Sequence, residues 1–197
     1  GTKIYGQTFT KVGVHDSIFE TLQNAMGCDS VVMHKVVVKP DPTKLNYYVK
    51  MNKENDGDGR DWDNAMSGED FAAYLPLAPE GATFYVAAGT YKPVFDINGN
   101  VSDYPLYNIN SSVSIYGGYP ANATGKEVPS EPKKNKTVLG SGVNSSIALF
   151  YSDNNELLSF VLDGVYVNDY KSYVISMPSA DLTIRNSYFD GNNYISN

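Results

Sequence analysis

The sequence predicts an all-β protein: a cap with one short helix, then a coil of parallel strands, with a few further strands in front. Three observations carry this reading. The chain holds 16 Tyr in 197 residues, and Tyr, Asn, Ser and Gly crowd its second half. Aromatic side chains suit a pleated surface, and Asn and Gly suit its turns. Only one stretch, "DWDNAMSGEDFAAYLPLAPEG", has helical spacing. Finally, "FVLDGVYVND" (160–169) aligns with "LTIRNSYFDG" (182–191) at an offset of 22 residues, Leu162 falling on Ile184. A period just above twenty, made of strands without helices, marks a stacked repeat.

Taken in order, residues 1–40 differ from the rest. "FTKVGVHDSIFETL" reads as a strand pair turning near Gly13, and Val31 to Val38 as a strand ending at Pro40. Val32, His34, Val36 and Val38 share one face of it. So few strands make a poor independent domain. "KPDPTKLN" follows, with residues 41–46 a stiff Pro-containing linker. From Tyr47 to Asn197 the pattern is that of the cap and the stacked strands. Ser67 is the expected N-cap of the helix, with Phe71, Tyr74 and Leu75 on its buried face and Pro76 and Pro79 ending it. In the aligned repeats Phe160 falls on Leu182, Val165 on Ser187, Tyr166 on Tyr188, Val167 on Phe189 and Asn168 on Asp190. The apolar members would stack inward, and Tyr166 and Tyr188 would stack outward.

Composition excludes some functions. Net charge is −7 and only Arg60 and Arg185 are arginines, so a nucleic-acid footprint is absent. The basic run "EPKKNK" (131–136) reads as a solvated loop. No apolar run approaches the roughly 18 residues of a membrane span. The single Cys28 has no internal disulfide partner.

The stretch "YYVKMNKENDGDGRDWDNAMSGEDFAAYLPLAPEGATFYVAAGTYKP" resembles the opening of right-handed parallel β-helix proteins among the secreted and surface proteins of Bacteroidetes-like bacteria. "VSIYGGYP", "KTVLGSG" and "LTIRNSYFDGNN" are similar to that family's following turns, so the resemblance covers residues 47–197. It implies a right-handed parallel β-helix and an extracellular or outer-membrane-associated location. "GQTFTKVGVHDSIFETLQNAMGCDSVVMHKVVV" resembles the last strands of small Ig-like repeats marked by "GCDS", although His34 replaces an inward Leu and an earlier Cys is missing. Fold alone does not assign function.

Several residues could carry chemistry. "NDGDGRDWDNA" (55–65) supplies a partial calcium loop, with Asn52, Glu54, Asp56, Asp58 and Asp63 as ligands for Ca2+. The alternative is structural: the glycines turn the chain, and Trp62, Ala65 and Phe71 cap the end of the coil. His15 and His34 lack metal-ligand spacing. Carboxylates at Asp163, Asp169, Asp181 and Asp190, with Arg185 and Lys171 nearby, could serve a glycosidase or lyase, or merely satisfy turn backbone. Tyr166, Tyr188, Tyr170, Tyr173 and Tyr194 sit among Asn, Asp and Ser, an environment that suits sugars and protein partners, or simple packing. Tyr166, Tyr188, Tyr170 and Tyr173, with Asp169, Asp190 and Arg185, form the expected ligand-binding set. Asn110, Asn122, Asn135 and Asn144 head N-glycosylation sequons.

The expectation is a surface-associated or secreted adhesin-like protein without catalysis. It would bind glycan or an extracellular protein, use no cofactor unless Ca2+, contact no nucleic acid, and have no membrane-spanning segment. A part of a β-helix carbohydrate-active enzyme and a structural spacer are the alternatives. Because no cap is visible near Asn197, a longer natural protein or self-association through an open strand edge is also expected.

Overall fold

A computed structural model describes residues 2–4, 6–23, 25–27, 29–51, 57–91, 107–140, 148–170, 172–190 and 194–196. The chain divides into two units, Gly1–Pro40 and Asp41–Asn197.

The first unit is antiparallel. β1 (Thr2–Ile4) pairs with β2 (Gln7–Phe9), and β3 (Gly13–Gln23) pairs with β4 (Asp29–Val38). The expected pairing about Gly13 is therefore corrected, because the strands on either side of that residue each take a different partner. Alternation along β4 is as read from the sequence. Val32, His34, Val36 and Val38 are partly buried, while Val31, Met33 and Val37 are exposed. Phe19 lies across from Met33, also exposed.

The second unit contains three parallel sheets. In the first, β5 (Asn46–Val49), β6 (Ala82–Ala87), β9 (Val113–Tyr119), β12 (Leu158–Asp163) and β15 (Ala180–Arg185) lie side by side. The second joins β7 (Gly89–Tyr91), β10 (Thr137–Leu139), β13 (Val165–Asn168) and β16 (Tyr188–Asp190). The third joins β8 (Tyr107–Asn108), β11 (Phe150–Tyr151), β14 (Tyr173–Ser176) and β17 (Tyr194–Ser196). The one α-helix among the described residues, α1 (Gly68–Tyr74), starts where Ser67 Oγ accepts the Asp70 N–H at 3.0 Å. It runs into a turn of 3-10 helix, Leu75–Leu77.

The expected right-handed parallel β-helix is corrected by this topology. Among the described residues the strand pairings establish three separate parallel sheets and, in the first unit, two antiparallel ladders, and they establish neither a closed coil nor a hand. A 22-residue repeat dictates which strands become neighbours. Closure and hand depend on the connections between sheets, and residues 92–106 and 141–147 of those lie outside the described residues.

Strand register follows the sequence alignment. Phe160 pairs with Leu182, Leu162 with Ile184, Tyr166 with Tyr188, Val167 with Phe189 and Asn168 with Asp190. Leu162 is buried, but Ile184, on the outermost strand of the first sheet, is 36% exposed. Inward side chains make a column of rings. Tyr47 stacks on Phe84 at 5.2 Å, Phe71 meets Phe84 and Tyr107, Tyr107 stacks on Phe150, and Phe150 meets Phe160. Such large buried rings dominate a core's energetics.

Candidate functional site

Two rows of outward tyrosines come from the in-register pairing, and they differ in what covers them. On the first sheet Tyr48, Tyr85 and Tyr116 occupy one row. Tyr48 stacks on Tyr85 at 5.1 Å and Tyr85 on Tyr116 at 6.0 Å. Trp62 lies edge-on to Tyr48 at 5.0 Å and against Tyr119 at 5.1 Å. Ala87, Ala123 and Val128 complete that cluster. The chain is fastened there by Trp62 N–H to the Gly125 carbonyl at 3.0 Å, and by Gly125 N–H to Asp63 Oδ2 at 3.0 Å. Trp62 therefore covers the outer face of the first sheet instead of the end of a coil, which corrects its expected destination. Ala65 and Phe71 are buried, with Phe71 in the ring column.

On the second sheet Tyr166 and Tyr188 are neighbours across β13 and β16, with ring centroids 5.8 Å apart and planes at 42°. Tyr188 is 53% exposed. A cleft of about 550 Å³ opens over this pair, walled by Glu131, Pro132, Lys133 and Lys134, with Asn186 and Ser187 beside the tyrosines in its floor. It falls within the usual size range of ligand sites. The wall belongs to the connection between β9 and β10, which is the basic run read above as a solvated loop.

Close backbone approach puts that loop in place. A Cβ on Gly117 would stand 2.4 Å from the Gly164 carbonyl oxygen. Gly164, at φ +72, would press a Cβ to 2.7 Å from Pro132 Cγ. The carbonyls of these close-packed turns are also the anchors. Ser130 Oγ donates to the Gly117 carbonyl at 2.7 Å, and Glu131 N–H and Asn135 Nδ2 donate to the Gly118 carbonyl at 2.7 and 3.2 Å. Thr137, fully buried, donates from Oγ1 to the Val86 carbonyl at 2.9 Å and accepts the Gly118 N–H at 3.0 Å.

The floor is equally well held. Asn186 repeats the place of Gly164 in the next strand pair and takes the left-handed conformation at φ 48, which Asn tolerates better than most residues. Its amide donates to Asp163 Oδ1 at 2.8 Å, and Arg185 Nε lies 3.4 Å from Asp163 Oδ2. Ser187 Oγ accepts the Val165 N–H at 3.2 Å and donates to the Arg185 carbonyl at 2.7 Å. At the cleft, Lys134 Nζ lies 3.2 Å from Glu131 Oε2, and Lys136 Nζ stands 5.5 Å from the centre of the Tyr166 ring.

The other expected site residues are dispersed. Tyr170 is fully buried, so its place in an exposed binding set is corrected: it follows Asp169, a residue at φ 56 whose turn carries the chain inward. Tyr173 is 45% exposed but belongs to β14 in the third sheet. Asp169 and Asp190 are exposed and joined through backbone, the Asp169 N–H donating to the Asp190 carbonyl at 2.7 Å. The Tyr194 side chain, Lys171, Cys28 and Asn144 lie outside the described residues.

For the calcium reading, Asn52, Glu54 and Asp56 also lie outside the described residues. Asp58 lies 3.7 Å from Lys44 Nζ and accepts the Arg60 N–H, while Asp63 holds Gly125. Among the described residues no three His, Cys, Asp or Glu side chains gather as a metal-binding group. His34 Nε2 lies 3.0 Å from Glu20 Oε2, and His15 Nε2 lies 2.8 Å from the Lys11 carbonyl. Among the described residues no helix is long and apolar enough to cross a membrane.

Sequence reasoning found the tyrosines of this cleft and missed its lysine wall. The readable signal was the pair Gly117–Gly118 with Gly164, three glycines at strand ends where another segment can come close. It also missed the Tyr48–Tyr85–Tyr116 row, although "YYV", "FYV" and "IYG" place a Tyr at the same point of each strand. No family model, curated protein or solved structure matches the chain, so the reading of the site rests on its geometry.

Proposed function

We propose that this chain is a non-catalytic, adhesin-like binding protein of the cell surface or the secreted space, and that it takes a glycan in the cleft over Tyr166 and Tyr188. The observation that carries this reading is the contrast between the two tyrosine rows. Packing accounts for Tyr48 and Tyr85, against which Trp62 and Tyr119 lie, and Tyr116 stacks on Tyr85. Tyr188 is left open beside a cleft with polar groups at its rim. A sugar ring has apolar faces and a polar edge, so paired aromatic rings flanked by amide, hydroxyl and charged groups suit it.

A glycan array followed by titration calorimetry tests this. Binding is expected with the wild-type chain, and Tyr166→Ala and Tyr188→Ala should each weaken it by about tenfold or more, the scale of a lost aromatic contact. Reducing-sugar and unsaturated-product assays on the same panel should show no turnover. Turnover would favour the enzyme alternative, and binding that both alanine variants retain would remove the cleft from the proposal.

A further inference from the structure

We infer that the cleft selects acidic glycans, with Lys133, Lys134 and Lys136 reading the carboxylate of a uronic acid unit. This rests on the proposal that the cleft binds glycan. The argument starts from charge. The chain as a whole carries −7, yet its wall segment 131–136 holds three lysines and one glutamate. Lys133, Lys134 and Lys136 are all exposed. The carboxylate beside the floor, Asp163, already has Arg185 at 3.4 Å and Asn186 at 2.8 Å, so its charge is answered within the sheet. A cationic mouth on an acidic body favours an anionic ligand over a neutral one, because Coulomb attraction distinguishes the two where ring stacking does not.

Placement supports the same ligand. A sugar lying on Tyr166 and Tyr188 turns its ring substituents toward the edges of those rings. Lys136 Nζ stands over the face of Tyr166, 5.5 Å from its centroid, where its charge would meet a sugar laid on the ring pair, and Lys134 and Lys133 come from the wall. Lys134 already holds a carboxylate, that of Glu131, at 3.2 Å. A carboxylate fixed directly to a sugar ring can compete for that ammonium in similar geometry. Aromatic rings with lysines also suit single-stranded nucleic acid, but three lysines in one short run, on a chain with only Arg60 and Arg185 as arginines, fall short of the extended basic footprint such a strand requires.

The test titrates the full chain with a hexuronic acid tetramer, with its carboxyl-reduced neutral counterpart and with a single-stranded oligonucleotide. The uronate is expected to bind about tenfold tighter than the neutral tetramer, the scale of one to two screened ion pairs. That preference should shrink as salt is raised. The combined variant Lys133→Gln, Lys134→Gln, Lys136→Gln, altered only at exposed positions, should bind the uronate no tighter than the neutral tetramer. Equal wild-type affinity for the two saccharides overturns the acidic selectivity and leaves the glycan reading standing. Binding of neither saccharide overturns both. An oligonucleotide that outcompetes the uronate also overturns the inference.

Discussion

Asp61 sits at the centre of the segment 55–65, whose composition suggests a calcium loop, and accepts hydrogen bonds from within that segment. Its Oδ1 accepts the Asn64 N–H at 2.7 Å and the Asn64 amide at 2.8 Å. Those bonds favour the ionised form, the Asn64 side chain first, and hold the carboxyl below its ordinary value of 3.8. A carboxylate whose folded pKa is depressed adds stability above its unfolded pKa and loses it as pH falls through the folded value. Asn64→Ala should therefore raise the Asp61 pKa toward 3.8, read by carboxyl NMR titration, and move the loss of this contribution to higher pH. The acidic and amide chemistry of the segment was plain from its sequence, and so was the burial of Trp62. Its destination was not, because Gly125, which holds Trp62 in place, is 62 residues from Asp63. Local pattern identifies an apolar anchor without naming the distant surface it meets.

At the scale of elements, α1 and its Ser67 cap were readable because capping is local chemistry. Register was readable from the repeat. The β8 and β14 strands were missed, since two to four residues between turns carry too little alternation to stand out. The run 131–136 reads as a solvated loop and its lysines are exposed, but its fastening was not readable, because the acceptors are the backbone carbonyls of Gly117 and Gly118, which leave no mark in composition. Gly117→Ala tests the anchoring. A Cβ there meets the Gly164 carbonyl oxygen at 2.4 Å and Thr137 Cβ at 2.9 Å, so the loop or the turn must shift. The expected cost is about 1–3 kcal/mol, the range for forced overpacking, measured by urea unfolding. Glycan binding at the cleft should fall along with stability.

For the whole molecule, the hydrophobic interior is unusually phenolic, and this sets an alkaline limit. Burial raises the pKa of Tyr107, Tyr91 and Tyr74, and burial with neighbouring tyrosines pushes Tyr119 up to about 12. In the unfolded chain a Tyr titrates near about 10. Between these values the folded state keeps protons that the unfolded state has released, so stability falls as pH rises. The stability contributed by Tyr119 is fully present below about 10 and lost by about 12. Phenolate absorbance and circular dichroism followed together should show a group of buried tyrosines, Tyr74, Tyr91, Tyr107 and Tyr119 among them, ionising in one cooperative step with unfolding, above the normal phenol range. Independent, gradual ionisation with the fold intact would contradict this. At this scale the sequence revealed all-β content and neighbouring strands, but the resemblance carried the fold class too far, since pairing order does not specify how sheets join.

The connection between β9 and β10 divides its labour by residue. Ser130, Pro132 and Asn135 fasten it to the glycine turns, while the side chains of Lys133 and Lys134 perform no fastening to the sheet. Recognition and scaffold can thus change independently. If the cleft takes glycan as proposed, exchanging only those two lysines for other side chains would change its sugar preference on an unaltered frame, making this short segment a natural starting point for a combinatorial library.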